Sequence, residues 1–462
     1  MLKADKMWTN AYVLPMTGEN GGLFEGGAVA VKGNKIIKVG KTADVKNEVA
    51  AEEEIDASGM LLMPGLIDAH IHSGLAIVRG VAQDMDHWMQ KGLWPWMKHM
   101  TVEDRKAGSV MNIMEGIRAG TTTFNDYDSH MGELLKSYAK TGVRVMASEM
   151  INELPDDIGD LPVEEVYPFD SVIGEKKLQA AVDLYHDWHQ AEEGRIRVMF
   201  GPQGADMMSL ELLKQVQKEA ERFDTKIHMH VCQGDREVYQ MEKRTGMRPI
   251  KFLEKHGLLN NRLLAVHLTE ADHEETIQAA ESGAGMINCS GSIGIIDGIV
   301  PPVELFTSAG GTAALGSDQA PGNNGNNMFN EMKFAAILNK VKAKDPKVFP
   351  ALKVLRMATT DAAAVLGMES DIGSLEEGKK ADMIVLDTRK QTLSPVLLHP
   401  LENVTANLVY AARGEEVQDV IVDGRFIMKN RKLLFIDEEE AMAEAQNRAE
   451  KLAEKITFSK EG

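Results

Sequence analysis

The chain carries only two cysteines, Cys232 and Cys289, among 462 residues. That excludes a disulfide scaffold and fits a reducing compartment. The two are far apart with no C-x-x-C, so the H-x-E…P-C-x-x-C deaminase signature is missing too. Basic residues are scarce beside acidic ones: 51 Lys and Arg against 70 Asp and Glu, for a formal net charge of −19. This balance argues against nucleic acid and anionic membrane surfaces as partners. No apolar run reaches the roughly 18 residues of a membrane helix. Residues 1–6 lack the apolar core of a secretion signal, so a cytoplasmic location is expected.

What is present is a globular composition, 44% hydrophobic and 26% charged. The length exceeds an ordinary single core but suits a large α/β barrel with additions. Both ends of the chain read as β structure. Segments 28–31 and 35–40 flank Gly33-Asn34, a hairpin signal. Near the other end, 381–387 and 417–425 read as strands, the latter turning at Asp423-Gly424. Together they predict a small β-sandwich domain built from both termini, residues 1–64 plus 372–435. A helix and tail follow over 436–462.

Residues 65–371 alternate short apolar runs with helical patterns. Strands are expected at 66–72, 121–125, 143–148, 196–200, 226–230, 263–267, 285–288 and 311–316. Helices are expected at 104–119, 134–141, 175–192, 209–223, 236–256, 271–282, 302–309 and 351–366. Eight alternations predict an α/β fold of the (β/α)8 TIM-barrel type, with chemistry at the C-terminal strand ends. The acidic stretch 153–170 holds three prolines and reads as an irregular surface excursion.

Four strand ends carry metal-ligand chemistry. His70 and His72 end the first in His-x-His, on one face because strand residues alternate. His228 and His230 end the fifth, His267 the sixth, and Asp318 follows the eighth. Neutral imidazoles with one carboxylate suit Zn²⁺ or a similar first-row ion. His186 and His189, on a polar helix away from any strand end, read as a solvated face.

Pro64-Gly65-Leu66-Ile67-Asp68-Ala69-His70-Ile71-His72, Gly120-Thr121-Thr122-Thr123, Ala265-Val266-His267-Leu268-Thr269 and Gly316-Ser317-Asp318 resemble the amidohydrolase superfamily. The resemblance is to the branch holding methylthioadenosine/S-adenosylhomocysteine deaminases and s-triazine hydrolases, and it runs almost end to end. It implies one divalent metal, zinc foremost with Fe²⁺ as an alternative, held by His70, His72, His230 and Asp318. It further implies that His267 stabilises a developing oxyanion, and that Asp318 carries the attacking water's proton to the leaving group. His228 falls on a non-ligand position. Relatives of this kind are often dimers or larger, so a homo-oligomer is expected.

The chain departs from the branch's pattern on the substrate side. Gln233 stands where the deaminases have a glutamate that protonates a ring nitrogen, and an amide cannot deliver that proton. Met97, after Trp94-Pro95-Trp96, replaces a ribose-binding glutamate. Gln203 and Asn288 replace histidines, and Gly291-Ser292-Ile293-Gly294 forms an unusual loop. Trp88, Trp94, Trp96, Met97 and Ile293 are expected to line a ribose-free pocket. The reading is a hydrolase that displaces an amino or similar group from a small nitrogen heterocycle, not a standard adenosine-type deaminase. The alternative is hydrolysis of an amide, urea or carbamate C–N bond.

Overall fold

The computed structural model describes residues 1–155, 158–162 and 164–456. Eight parallel strands pair in chain order: Leu66–Ile71, Thr121–Asp128, Arg144–Ile151, Ile196–Pro202, Ile227–Val231, Leu263–His267, Gly285–Asn288 and Ala313–Leu315. They are buried almost throughout because helices cover the outside, so the sequence shows apolar runs rather than alternation. The eighth strand nearly closes on the first, where the Asp318 N–H donates to the His70 carbonyl at 2.8 Å. Gly316 permits the approach: a Cβ there would sit 2.8 Å from His70 Cβ and 2.9 Å from its nitrogen.

Each expected strand has its counterpart, and the helices differ at a few points. The stretch 236–256 is two helices, Gly234–Thr245 and Pro249–Lys255. Gly246 ends the first at φ +71 and Pro249 opens the second. The stretch 351–366 also divides, into Ala351–Met357 and Thr360–Val365. Ser290–Ile296, expected as a loop, is helical. Met328–Ala343 is an unforeseen helix. Its buried Met332, Ala335 and Ala336 are matched by exposed Phe334, Ile337 and Val341, so no clean apolar stripe marks it.

Strands from both ends of the chain build one nine-stranded sheet around a separate core that includes Trp8, Val29, Leu62, Met383 and Ile421. Phe24–Lys32 and Lys35–Lys41 form the expected hairpin. Met60–Pro64 pairs antiparallel with Met383–Asp387, then runs directly into the first barrel strand. The sheet also grips the N-terminal end of the barrel. Buried Arg144, at the start of the third barrel strand, reaches Asp382 at 2.7 and 3.1 Å and Asp423 at 2.8 Å. The tail helix, Glu438–Ala453, packs Ala445 and Leu452 against Leu75 and Leu93.

Candidate active site at the C-terminal mouth of the barrel

The barrel brings His70, His72, His230, His267 and Asp318 together. The ligand atoms of His70, His72 and His230 lie within 4.8 Å of one another, as do those of His70, His267 and Asp318. Asp318 Oδ1 is 3.5 Å from Nε2 of both His70 and His72, and His230 Nε2 is 3.3 Å from His72 Nε2. The remaining ring nitrogens fix which edges face inward. His72 Nδ1 lies 2.6 Å from the Tyr127 carbonyl, and His230 Nδ1 2.8 Å from the Gln203 carbonyl. A carbonyl only accepts, so each Nδ1 carries the hydrogen and each Nε2 presents a lone pair to the centre. His70 Nδ1 sits 2.8 Å from His228 Nε2, and His228 Nδ1 is 3.4 Å from Ser148 Oγ. His228 thus orients His70, a supporting role common behind metal-binding histidines.

The donor set suits a divalent cation. His70 Nε2, both nitrogens of His267 and Asp318 Oδ1 are buried without a hydrogen-bond partner among the described residues. Orphan buried polar atoms are costly unless something pairs with them. Burial keeps the imidazoles neutral: the His72 pKa falls to about 4 and that of His267 to about 3, and neighbouring histidines add to the effect. Burial alone would raise Asp318, but the adjoining rings of His70, His267 and His72 hold its carboxyl below the ordinary carboxylate range. One carboxylate among neutral imidazoles is the chemistry of a zinc-type site.

Some of the chain's left-handed backbone lies at the same place. Cys232, His267 and Asp318, each at or just beyond a strand end, have φ of +53, +79 and +60. Non-glycine residues hold such conformations only where their surroundings enforce them. Asp68 does so for Asp318, accepting from the Ser317 N–H at 2.9 Å and the Ser317 hydroxyl at 2.5 Å. Asn326 donates to the Asp318 carbonyl at 3.0 Å. Ser292 donates to Asp318 Oδ2 at 2.5 Å, which leaves Oδ1 free for the centre.

Next to this cluster is an enclosed space of about 40 Å³, bounded by His72, His230, Asp318, Trp88, Trp94, Met97, Gln203, Gln233 and Arg236, among others. Four of the five expected substrate-side residues line it. Asn288 does not: it is fully buried and donates to Ser290 Oγ at 2.7 Å, so the seventh strand turns it away. Nor do Ile293, fully buried, or Trp96, which packs in the cluster around Leu75 and Leu93. The stretch 153–170 is more than surface. Leu154 and Tyr167 are buried against Met89, Trp94 and Met207 and back the cavity wall. Asp156, Asp157 and Val163 of that stretch lie outside the described residues. His189 stacks on Tyr185 at 4.1 Å, far from the mouth as expected.

Sequence reading missed Ser292 and Arg236. The unusual Gly-Ser-Ile-Gly stretch pointed to the first without giving a role. Arg236 follows Gln233 by three residues, on the same helical turn, and forms a buried ion pair with Asp206. Beneath it, Glu237 accepts from the Gln233 N–H at 2.8 Å. Burial, then the Asp206 charge, raises the Glu237 pKa to about 8.

Imidazoles and a carboxylate at the C-terminal mouth of a parallel barrel define a metal-dependent hydrolase. The family model described as Amidohydrolase family matches residues 61–427, and the chain belongs to that family. A 5-methylthioadenosine/S-adenosylhomocysteine deaminase of Desulforudis audaxviator is 34% identical over 97% of this chain and 99% of its own. A 5'-deoxyadenosine deaminase of Methanosarcina mazei is 32% identical over 98% and 99%. Among solved structures, an adenosine deaminase from Xanthomonas campestris with bound zinc has a TM-score of 0.89 at 28% identity, covering 98% of this chain and 99% of that one. An atrazine chlorohydrolase from Arthrobacter aurescens complexed with zinc shares the fold, at TM-score 0.84 and 21% identity over 96% and 100%. The protein is an enzyme that hydrolyses carbon–nitrogen bonds other than peptide bonds.

Proposed function

We propose that the protein uses one divalent metal, zinc foremost, to displace an amino or similar group from a small nitrogen heterocycle other than adenosine-type nucleosides. The observation that carries this is the set of buried, unpartnered atoms on His70, His267 and Asp318 beside a cavity that Gln233 and Met97 line. His70, His72, His230 and Asp318 would hold the metal, whose Lewis acidity lowers the pKa of water toward about 7. The Asp318 carboxylate takes the water's proton and returns it at the leaving group, while Ser292 keeps Oδ2 in place. Neutral His267 donates to the developing oxyanion. Gln233 can orient a ring through hydrogen bonds without protonating it. Met97 offers no carboxylate to a ribose.

The test is ammonia release by the metal-loaded protein across aminotriazines, aminopyrimidines, purines and 5'-methylthioadenosine, with elemental analysis for about one metal per chain. Turnover of 5'-methylthioadenosine at a kcat/KM above about 10⁴ M⁻¹s⁻¹ would overturn the specificity reading. Amide, urea or carbamate turnover without any heterocycle turnover would favour the alternative, for which Gln233 is no handicap. We also propose that domain boundaries fall near 64 and 372 and that the chain acts in the cytoplasm, which its two free, buried cysteines suit. Exposed Phe334, Ile337 and Val341 on one helix support a homo-oligomer, checked by light scattering.

A further inference from the structure

A second space, of about 300 Å³, opens outward from the cavity beside the metal-ligand cluster. The two share Trp88, Met89, Gln233 and Arg236 as walls, so they adjoin. Four carboxylates from separate elements line it. Asp86 precedes Trp88–Leu93, and Asp235 opens the helix after the fifth strand. Glu270 follows the sixth strand, and Asp297 caps Ser290–Ile296. The cations on that wall are few. Arg236 is already paired with Asp206, which leaves His87.

One observation independent of the acidic cluster and one within it show groups left waiting for a partner. Gln233 is 6% exposed, lines both spaces, and its side-chain amide has no hydrogen-bond partner among the described residues. Asp297 Oδ2 is buried and equally unpartnered, although the Trp88 indole bonds to the same carboxylate. A buried carboxylate oxygen without a donor destabilises the empty site and is relieved by a ligand that brings one. Trp88, on the shared wall, is an aromatic ring of the kind that favours cations.

We infer that the substrate carries a positive charge, an ammonium or amidinium-type group, seated among Asp86, Asp235, Glu270 and Asp297 while its ring reaches Gln233 and the inner cavity. This rests on the proposed hydrolase reading and names the substrate class for the same site. Carboxylates around a partly enclosed mouth attract cations and repel anions.

The test is calorimetric binding to the full-length, metal-loaded protein of two probes of one size, benzylammonium and benzyl alcohol. Benzylammonium is expected to bind at least about tenfold tighter, with the gap narrowing at 1 M salt. Asp297→Asn and Glu270→Gln should each weaken benzylammonium several-fold and leave benzyl alcohol unchanged. Asp235→Asn, at an exposed position, carries no folding risk and should weaken benzylammonium by a smaller factor. Benzylammonium binding no tighter than benzyl alcohol overturns the inference, as does indifference of its affinity to all three variants. Neither probe is turned over. Failure of the hydrolase reading would appear separately, as absence of ammonia release across the whole panel.

Discussion

The two ends of the barrel handle buried charge in opposite ways. At the N-terminal end, Arg144 is bound to Asp382 and Asp423, and the guanidinium fork ties the barrel to strands from the far end of the chain. At the C-terminal end, His70, His267 and Asp318 leave buried atoms unpaired, and Cys232, His267, Leu268 and Asp318 hold left-handed backbone. One end pairs its charges across domains. The other keeps polar atoms and strained backbone in reserve for a ligand. Barrels of this kind concentrate stability at the bottom and chemistry at the top. Here the division is one of degree, since Asp423 at the lower end also holds left-handed backbone, at φ +49, and a buried, unpartnered Oδ2.

Substitutions at the two ends should therefore separate activity from stability. The largest expected effect is on activity. Asp318→Asn should lower kcat/KM by about 10³-fold or more, while thermal stability stays near wild type, since a buried charge is removed and the amide oxygen can still accept from Ser292. Ammonia release and a melting curve read both. Turnover at the wild-type rate would end the proposed role of Asp318. Arg144→Leu should do the reverse. It strands Asp382 and Asp423 in the interior, which typically costs about 3–5 kcal/mol. Urea unfolding measures that loss, and the folded fraction should keep its specific activity. Lost activity with stability intact would mean that the two ends are not independent.

How legible each end was in the sequence follows the same line. All eight strands were readable because each is a short apolar or β-branched run between helical patterns. The clustering of His70, His72, His230, His267 and Asp318 was readable because His-x-His and Asp318 fall at strand ends, where fold position and residue type agree. The Arg144 pairing was not readable: its partners are 238 and 279 positions away, and nothing local marks them. The helix Met328–Ala343 was lost because apolar residues on both faces blur its period. Asn288 was misplaced for a different reason. A strand end fixes a residue's height in the barrel but not the direction of its side chain, and the short turn to Ser290 directs this one inward.

A smaller effect tests how far the upper end depends on support behind the ligands. His228 touches no cavity but meets His70 at 2.8 Å. His228→Phe removes the acceptor that orients the His70 ring. Metal affinity should fall by about 10–100-fold, read by competition with a chromogenic chelator. Unfolding of the metal-free protein should change little. His228→Gln, which keeps an acceptor, should recover part of the affinity. An unchanged affinity in His228→Phe would show that packing alone positions His70.

The gentlest perturbation is pH. Glu331 lies buried behind the upper end, accepting from the Gly291 N–H and the Asn323 amide, each at 2.9 Å. Burial raises its pKa from the ordinary 4.5 to about 8, against the pull of those two donors. The folded chain therefore keeps a proton that the unfolded chain gives up. Between these pH values the folded state binds more protons, so stability falls as pH rises. The contribution is complete below pH 4.5 and lost once pH passes about 8. One group can impose a slope no steeper than about 1.4 kcal/mol per pH unit. Asp68, Asp126 and Glu149 are also raised, each to about 7, so the wild-type curve mixes several groups. Glu331→Gln isolates one, because its amide does not titrate. Urea stability of the variant minus that of wild type should climb steadily from pH 5 to 8. A flat difference would mean that Glu331 is ionised in the folded protein and that the upper end tolerates a buried negative charge beside the one on Asp318.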